Sequence, residues 1–408
     1  MATDRGPAGA GSLRLLGANR PFRLLWSARA VSFLGDSLSL VALMLHVAET
    51  TGQAVAVAWL LLAGDFAPAL LGPLTGTVAD RLDRRRVMVG CELLQGALVV
   101  VIALWLPALP LLLVLVGLRA VAGQVFQPAS RAAVPAVVAE RDLEGANAAV
   151  GVATNGGEAL GPLLAAVLLP VLEVRGVLLV DAASFLVSAA LLALLPPLAR
   201  AGDGDRGRPA SFLADAGAGL RYLRGQPVLR VVVAGYVAVV ACTGIDDVAL
   251  VFLATDTFGA GGSAVGLLLA AVGIGLLAGY ALLARTGGRA PMVPLLLAGF
   301  AVSSAGNLLT GLAWAVAAAF AVQAIRGLGI AATDVAATTL VQRVAPPGLQ
   351  GRVFGSLYGG IGVAAALSYL LGGLLLDRTT PRVAFVAAGA AGLLATATTA
   401  LALRRARN

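Results

Sequence analysis

Twelve apolar stretches, each about the length a helix needs to cross a bilayer, divide this 408-residue chain and leave it one class of fold. They are expected at 24–48, 54–76, 87–106, 109–131, 146–171 and 175–196, then at 228–254, 262–284, 291–313, 314–340, 350–376 and 381–403. Only 12% of the residues are charged and the mean hydropathy is +0.92. A water-soluble domain does not do with so little charge, so the chain reads as a multi-span membrane protein. A polar stretch rich in Gly, Asp, Arg and Pro follows the sixth span, from Pro197 to Arg208. After it comes an amphipathic segment, Ser211 to Arg224, suited to a membrane surface.

Orientation follows from the arginines, which supply all 29 basic residues. With a cytoplasmic N-terminus, 23 of them fall in inner loops, helix ends and termini. The outer loops then hold only Arg175, Arg378 and Arg382, and the spans hold Arg29, Arg119 and Arg326. That contrast predicts both termini inside. The net charge of +8 therefore belongs to membrane topology and not to nucleic-acid binding. The first dozen residues are polar and Gly/Ala-rich, and no cleaved signal peptide is expected.

The two halves echo each other. Leu118-Arg119 and Gly123 in the fourth span answer Ile325-Arg326 and Gly329 in the tenth, and Gly35-Asp36 in the first answers Gly244-Ile245-Asp246 in the seventh. A repeat near half the chain length suits a transporter built of two related bundles, with a site at mid-membrane. The expected domains are 1–196 and 228–408, each a six-helix bundle, joined by a cytoplasmic linker at 197–227.

Between the second and third spans runs Gly72-Pro-Leu-Thr-Gly76-Thr-Val-Ala-Asp80-Arg81-Leu-Asp83-Arg84-Arg85-Arg86-Val87. This tight, strongly charged turn resembles the loop signature of the major facilitator superfamily, roughly G-x-x-x-D-R-x-G-R-R/K. Gly76, Asp80, Arg81, Arg84 and Arg85 fall on its positions, and Asp83 stands where the pattern usually has glycine. Arg285-Thr-Gly-Gly-Arg289 is a reduced copy between the eighth and ninth spans. In the fourth span Leu115, Arg119 and Gly123 fit that superfamily's L-x-x-x-R-x-x-x-G motif, commonly linked to proton transfer. In the fifth, Gly157, Gly161 and Pro162 resemble the antiporter motif of drug exporters, with Ala165 and Ala166 in place of its last glycines. Further likeness runs through Asn19-Arg20-Pro21-Phe22, Gly219-Leu220-Arg221-Tyr222 and Gly351-Arg352-Val353, and points to the exporter branch that contains enterobactin and macrolide efflux proteins. The resemblance implies an all-α integral membrane protein of twelve helices in two pseudo-symmetric bundles. It also implies efflux driven by the proton gradient, with Asp80 to Arg86 gating the inner side.

Ionisable groups inside a span are costly, so each is a candidate. Asp36 lies about twelve residues into the first span, roughly 18 Å along a helix and near the bilayer centre. Asp65, Arg119, Glu158 and Arg326 lie at similar depth; Asp246 and Asp247 sit nearer the outer face and Asp334 nearer the inner one. Burial favours a protonated carboxyl and a nearby arginine the ionised form, so movement between the two environments releases or takes up a proton. Asp36 with Arg119 fits that role, and fits equally a permanent ion pair holding the first bundle together. His46, the only histidine, reads better as an interfacial polar residue than as a proton relay. Phe33, Phe66, Phe126, Tyr236, Phe252 and Tyr358 are candidates either for lining a cavity or for ordinary packing.

The chain has no lysine and therefore no phosphate-binding G-x-x-x-x-G-K-S/T loop, which excludes ATP-driven pumping by this chain alone. Cys91 and Cys242 form no disulfide or metal pattern. The expectation is a monomeric, non-enzymatic secondary transporter in the cytoplasmic membrane, without cofactor or metal. It would export amphipathic small molecules by alternating access against protons, with membrane lipid around it and no nucleic acid as partner. A siderophore or metabolite carrier of the same fold and a lipid-moving transporter are the alternatives. A membrane enzyme or sensor is disfavoured by the single histidine and the lack of a metal-ligand cluster or a large soluble domain.

Overall fold

Helices stand where the apolar runs do. The computed structural model describes residues 15–66, 83–197, 220–285 and 291–407. Helix α1 covers Arg20–Thr51, α2 Ala54–Leu61, α3 Arg84–Trp105, α4 Leu109–Val137 and α5 Leu143–Ala193. The later part holds α6 (Pro227–Thr243), α7 (Asp246–Phe252), α8 (Gly262–Arg285), α9 (Met292–Gly311), α10 (Val316–Val344), α11 (Pro347–Leu376) and α12 (Pro381–Arg407). Among the described residues ten helical stretches are long and apolar enough to cross a membrane. The rest of the predicted second span, beyond the π-helical turn Leu62–Phe66, lies outside the described residues.

Local chemistry sets the ends and breaks. The Asn19 side chain accepts the Phe22 N–H at 3.0 Å, capping α1, and its amide donates to the Val137 carbonyl at 2.7 Å. Asp83 caps α3 by accepting the Arg86 N–H at 3.0 Å from an extended backbone (φ −60°, ψ 120°). An aspartate thus serves where the resembling pattern has glycine, because this turn needs no left-handed residue at that place. At 51 residues α5 would run roughly 75 Å if straight, more than twice the hydrocarbon thickness. It continues through Pro162 and Pro170 and breaks at Glu173, whose φ of 55° is left-handed. That break falls between the fifth and sixth predicted spans. The seventh span is likewise interrupted at Gly244 and Ile245, so that Asp246 opens α7.

The chain divides into two compact units, Met1–Leu43 with Ala63–Arg206, and Met44–Leu62 with Gly207–Asn408. In the first, Phe22, Leu25, Met88, Phe126, Val134 and Leu192 are almost fully buried and join α1, α3, α4 and α5 in one core. In the second, Val232, Leu296, Phe300 and Ala336 do the same for α6, α9 and α10. Small residues bring α10 close to its neighbours: a Cβ added at Gly329 would meet the Ser303 backbone nitrogen of α9 at 2.9 Å. The stretch Met44–Leu62 joins the second unit through Asp377, just beyond α11. Its carboxylate accepts the N–H groups of Ala54 and Val55 at 2.6 and 3.3 Å, capping α2, whose own N-cap residue Gln53 makes no side-chain capping bond.

Candidate functional site

Asp36 stands at the middle of the 32-residue α1, and Arg119 ten residues into α4. Packing of the first unit brings them together: Arg119 Nη1 donates to Asp36 Oδ1 at 2.5 Å. A second carboxylate, Asp181 of α5, lies with Oδ2 at 3.7 Å from the same nitrogen. Asp181 also accepts from the Ser184 hydroxyl at 3.3 Å. The exposures differ in a way that matters: the Asp36 side chain is 35% exposed, Arg119 11% and Asp181 0%. One guanidinium therefore serves two carboxylates, one reachable and one sealed. At membrane depth two carboxylates beside one guanidinium leave a charge that is costly to bury unpaired.

A second polar layer lies beside it. Glu92 of α3 is fully buried and accepts from the Ser32 hydroxyl at 3.3 Å. Arg29, one helical turn from Ser32, donates to Ser130 at 2.5 Å and lies 5.3 Å from the centre of the Phe33 ring. The sequence reading did not single out Asp181 and Glu92 as candidates. The rule applied to the other spans, that any ionisable residue inside one is a candidate, would have picked both out.

The second unit repeats the pair. Arg326, ten residues into α10, forms a salt bridge with Asp246, and Gln323 braces it at 3.2 Å. Both side chains are under 10% exposed, so this copy is closed where the first is partly open. Asp247, the next residue, accepts from the Tyr369 hydroxyl at 3.3 Å. Asp334 is held by two phenols, Tyr236 at 2.6 Å and Tyr280 at 2.9 Å. Arg119 is thus joined to Asp36, and Arg326 to Asp246, while Asp334 forms a separate centre within the second unit.

The remaining predicted residues divide by place. Gly157 and Gly161 of α5 face α1 on either side of Asp36. A Cβ at Gly157 would meet Phe33 Cβ at 3.1 Å, and one at Gly161 the Leu38 backbone nitrogen at 2.9 Å. Pro162 follows within the helix. Arg84 donates to the Ala132 carbonyl of α4 at 3.2 Å. Arg85 lies in the first turn of α3. Gly76, Asp80 and Arg81 lie outside the described residues, as do the side chains of Asp65 and Glu158. Phe126 is a buried packing residue, Phe252 is buried and borders a cavity of about 450 Å³, Tyr236 lines another cavity, and Tyr358 is exposed. No group of three or more potential metal ligands occurs among the described residues.

The sequence profile described as Major Facilitator Superfamily matches residues 25–255 and 236–408. The chain belongs to the major facilitator superfamily. This superfamily member is 26% identical over 381 residues to the uncharacterized MFS-type transporter YfiS of Bacillus subtilis strain 168, covering 90% of this chain and 89% of that one. It is 24% identical over 208 residues to macrolide efflux protein A of Streptococcus pyogenes, about half of each chain. Among solved structures, a variant of the nucleoside transporter NupG superposes with a TM-score of 0.79 at 10% identity, over 94% of this chain and 99% of the other. A bacterial homologue of the iron transporter ferroportin gives 0.71 at 16% identity, over 94% and 98%. At such identities these two likenesses concern the fold. The major facilitator fold accounts for the all-helical build, the multiple membrane-length helices and the internal repeat, and it is a transporter fold.

Proposed function

We propose that this superfamily member exports amphipathic small molecules across the cytoplasmic membrane, by alternating access and in exchange for protons. The observation that carries the reading is the Asp36–Arg119–Asp181 cluster, in which one arginine serves two carboxylates of unequal exposure. Protonating Asp36 loosens its hold on Arg119, and the guanidinium is then drawn towards Asp181, which is already within 3.7 Å. Releasing the proton reverses the shift. A proton thereby changes which helix Arg119 ties to α4: α1 through Asp36, or the second part of α5 through Asp181.

The glycines of α5 support the coupling. Gly157 and Gly161 let α5 lie directly against α1 on both sides of Asp36, so a change at Asp36 is felt at that helix contact. Relatedness to macrolide efflux protein A supports the export direction. The charged turn from Asp80 to Arg86 would gate the inner side, and the proton gradient would be the sole source of energy, without cofactor or metal. A ligand moves such an equilibrium only as far as its affinities for the two states differ.

The test is uptake of a fluorescent amphipathic cation by inverted vesicles carrying the protein, with an imposed pH gradient acidic inside. Accumulation is expected, with Asp36→Asn reducing it to the level of empty vesicles and Asp181→Asn weakening its dependence on the gradient. Accumulation that ignores the gradient, or an Asp36→Asn variant that transports normally, would overturn the proton-coupled reading.

A further inference from the structure

Helix α2 lies in sequence between two parts of the first unit, yet the stretch Met44–Leu62 packs with the second. Six of the eight residues of α2 are buried, Ala54 among them at 1% exposure. Gly52, with a left-handed φ of 62°, makes the turn from α1 into it. At the other end comes the π-helical turn Leu62–Phe66, a local break in the α-helical ladder.

A helix begins with N–H groups that have no partner inside it, and the residue just before it is the usual one to satisfy them. Gln53 stands there and makes no side-chain capping bond. Asp377, the residue that ends α11, supplies the acceptors from 323 positions away, with one carboxylate oxygen on the Ala54 N–H at 2.6 Å and the other on the Val55 N–H at 3.3 Å. Gly373, one turn earlier, lets the two backbones close up, since a Cβ there would meet Val55 Cα at 2.9 Å. The C-terminal end of α11 thus meets the N-terminal end of α2, where the helix dipoles add to the attraction of the carboxylate charge. A cap of this kind completes the first turn of α2 and also ties that turn to α11. A capping side chain at position 53 would have done the first without the second.

We propose that Asp377 is a positioning residue, a releasable latch that holds the start of the second predicted span on α11. Release gives up two hydrogen bonds and the Gly373 contact. The π-helical turn then takes up the change of direction, and α2 moves with the first unit, to which the chain on both sides of Met44–Leu62 belongs. The contact borders the cavity of about 450 Å³ whose walls include Gln53, Ala54, Asp256, Asp377 and Thr379, so water reaches the freed N–H groups as the latch opens. Alternating access needs contacts that one state makes and the other gives up. The latch rests on that part of the export reading, and on neither protons nor cargo.

In the purified full chain in detergent, with Cys91 and Cys242 replaced by serine, Ala54→Cys places a thiol beside this cavity. Its rate of alkylation by N-ethylmaleimide reads how often the contact opens. Asp377→Ala is expected to raise that rate about tenfold. Fraying of an uncapped α2 would have the same effect, and Gln53→Asp separates the two causes. Added to Asp377→Ala, it gives α2 an acceptor of its own without restoring the tie to α11, and the rate is expected to stay about tenfold above the original. A return to the original rate would reduce Asp377 to an ordinary cap and overturn the latch, as would an unchanged rate in Asp377→Ala. Should Asp377→Ala fail to fold, Gln53→Asp alone keeps the N–H groups supplied while its carboxylate competes with that of Asp377. It is expected to raise the rate about threefold, and no change would overturn the latch. The rates need no gradient and no cargo. Dye uptake that ignores the gradient, with the rates as expected, removes proton coupling and leaves the latch; uptake that follows the gradient, with rates unmoved by Asp377→Ala, does the reverse.

Discussion

Around Arg119, removing the base and removing one of its acids are unequal changes. Arg119→Met leaves Asp36 and Asp181 facing each other without a guanidinium, and breaking a buried pair in this way costs about 3–5 kcal/mol. Asp181→Asn leaves a matched pair, Arg119 with Asp36, and an amide that still accepts from Ser184. Thermal unfolding of the purified protein is therefore expected to show a large loss for Arg119→Met and little change for Asp181→Asn. A similar loss in both would mean that Asp181 is an essential structural partner and not a second seat for the arginine. The counterpart in the second unit differs at this same scale. Asp246 and Arg326 are matched one to one, braced by Gln323 and closed from solvent, an arrangement suited to a fixed strut.

Helix α5 shows how an element turns small residues into contact. Gly161 lies so close to Ser37 and Leu38 of α1 that a side chain there must displace one helix, whereas a Cβ at Gly156 meets nothing within 4 Å. Overpacking of this kind costs about 1–3 kcal/mol. Gly161→Val should lower both the unfolding temperature and gradient-driven uptake, while Gly156→Ala, about 1.4 turns away on another face, should leave both near the original values. Equal tolerance of the two would remove Gly161 from the α1–α5 contact. The motif in α5 was legible as a string of small residues, but a glycine that packs and one that merely stands nearby look the same in sequence. Only the azimuth of each residue against α1 tells Gly161 from Gly156.

For the whole molecule, the arginine asymmetry makes a claim about orientation that labelling can check. With Cys91 and Cys242 replaced by serine, Thr379→Cys, just beyond α11, should react with a membrane-impermeant maleimide in intact cells. Arg405→Cys, near the end of α12, should react only after the membrane is opened. The reverse pattern would invert the topology and, with it, the assignment of the charged turn to the inner side. Much at this scale was readable directly: among the described residues, hydropathy marked where most of the membrane-length helices stand, because the bilayer imposes one length on each of them. The repeat of Asp36 and Arg119 in Asp246 and Arg326 was readable as well, since spacing survives in sequence. What sequence could not weigh was neighbourhood. Asp181 and Glu92 are single acids in apolar runs, no different on paper from Asp36, and they acquire meaning only when packing lays α3, α4 and α5 against α1. The Asp377 cap on α2 joins residues more than 300 positions apart, and nothing local announces it. The sequence by itself determined the class of fold, the family and the pairing of the two repeats, because lipid thickness, charge placement and motif spacing act along the chain. The tertiary structure alone decided that Arg119 meets two carboxylates while Arg326 meets one among the described residues, because burial and charge balance are set by which helices meet.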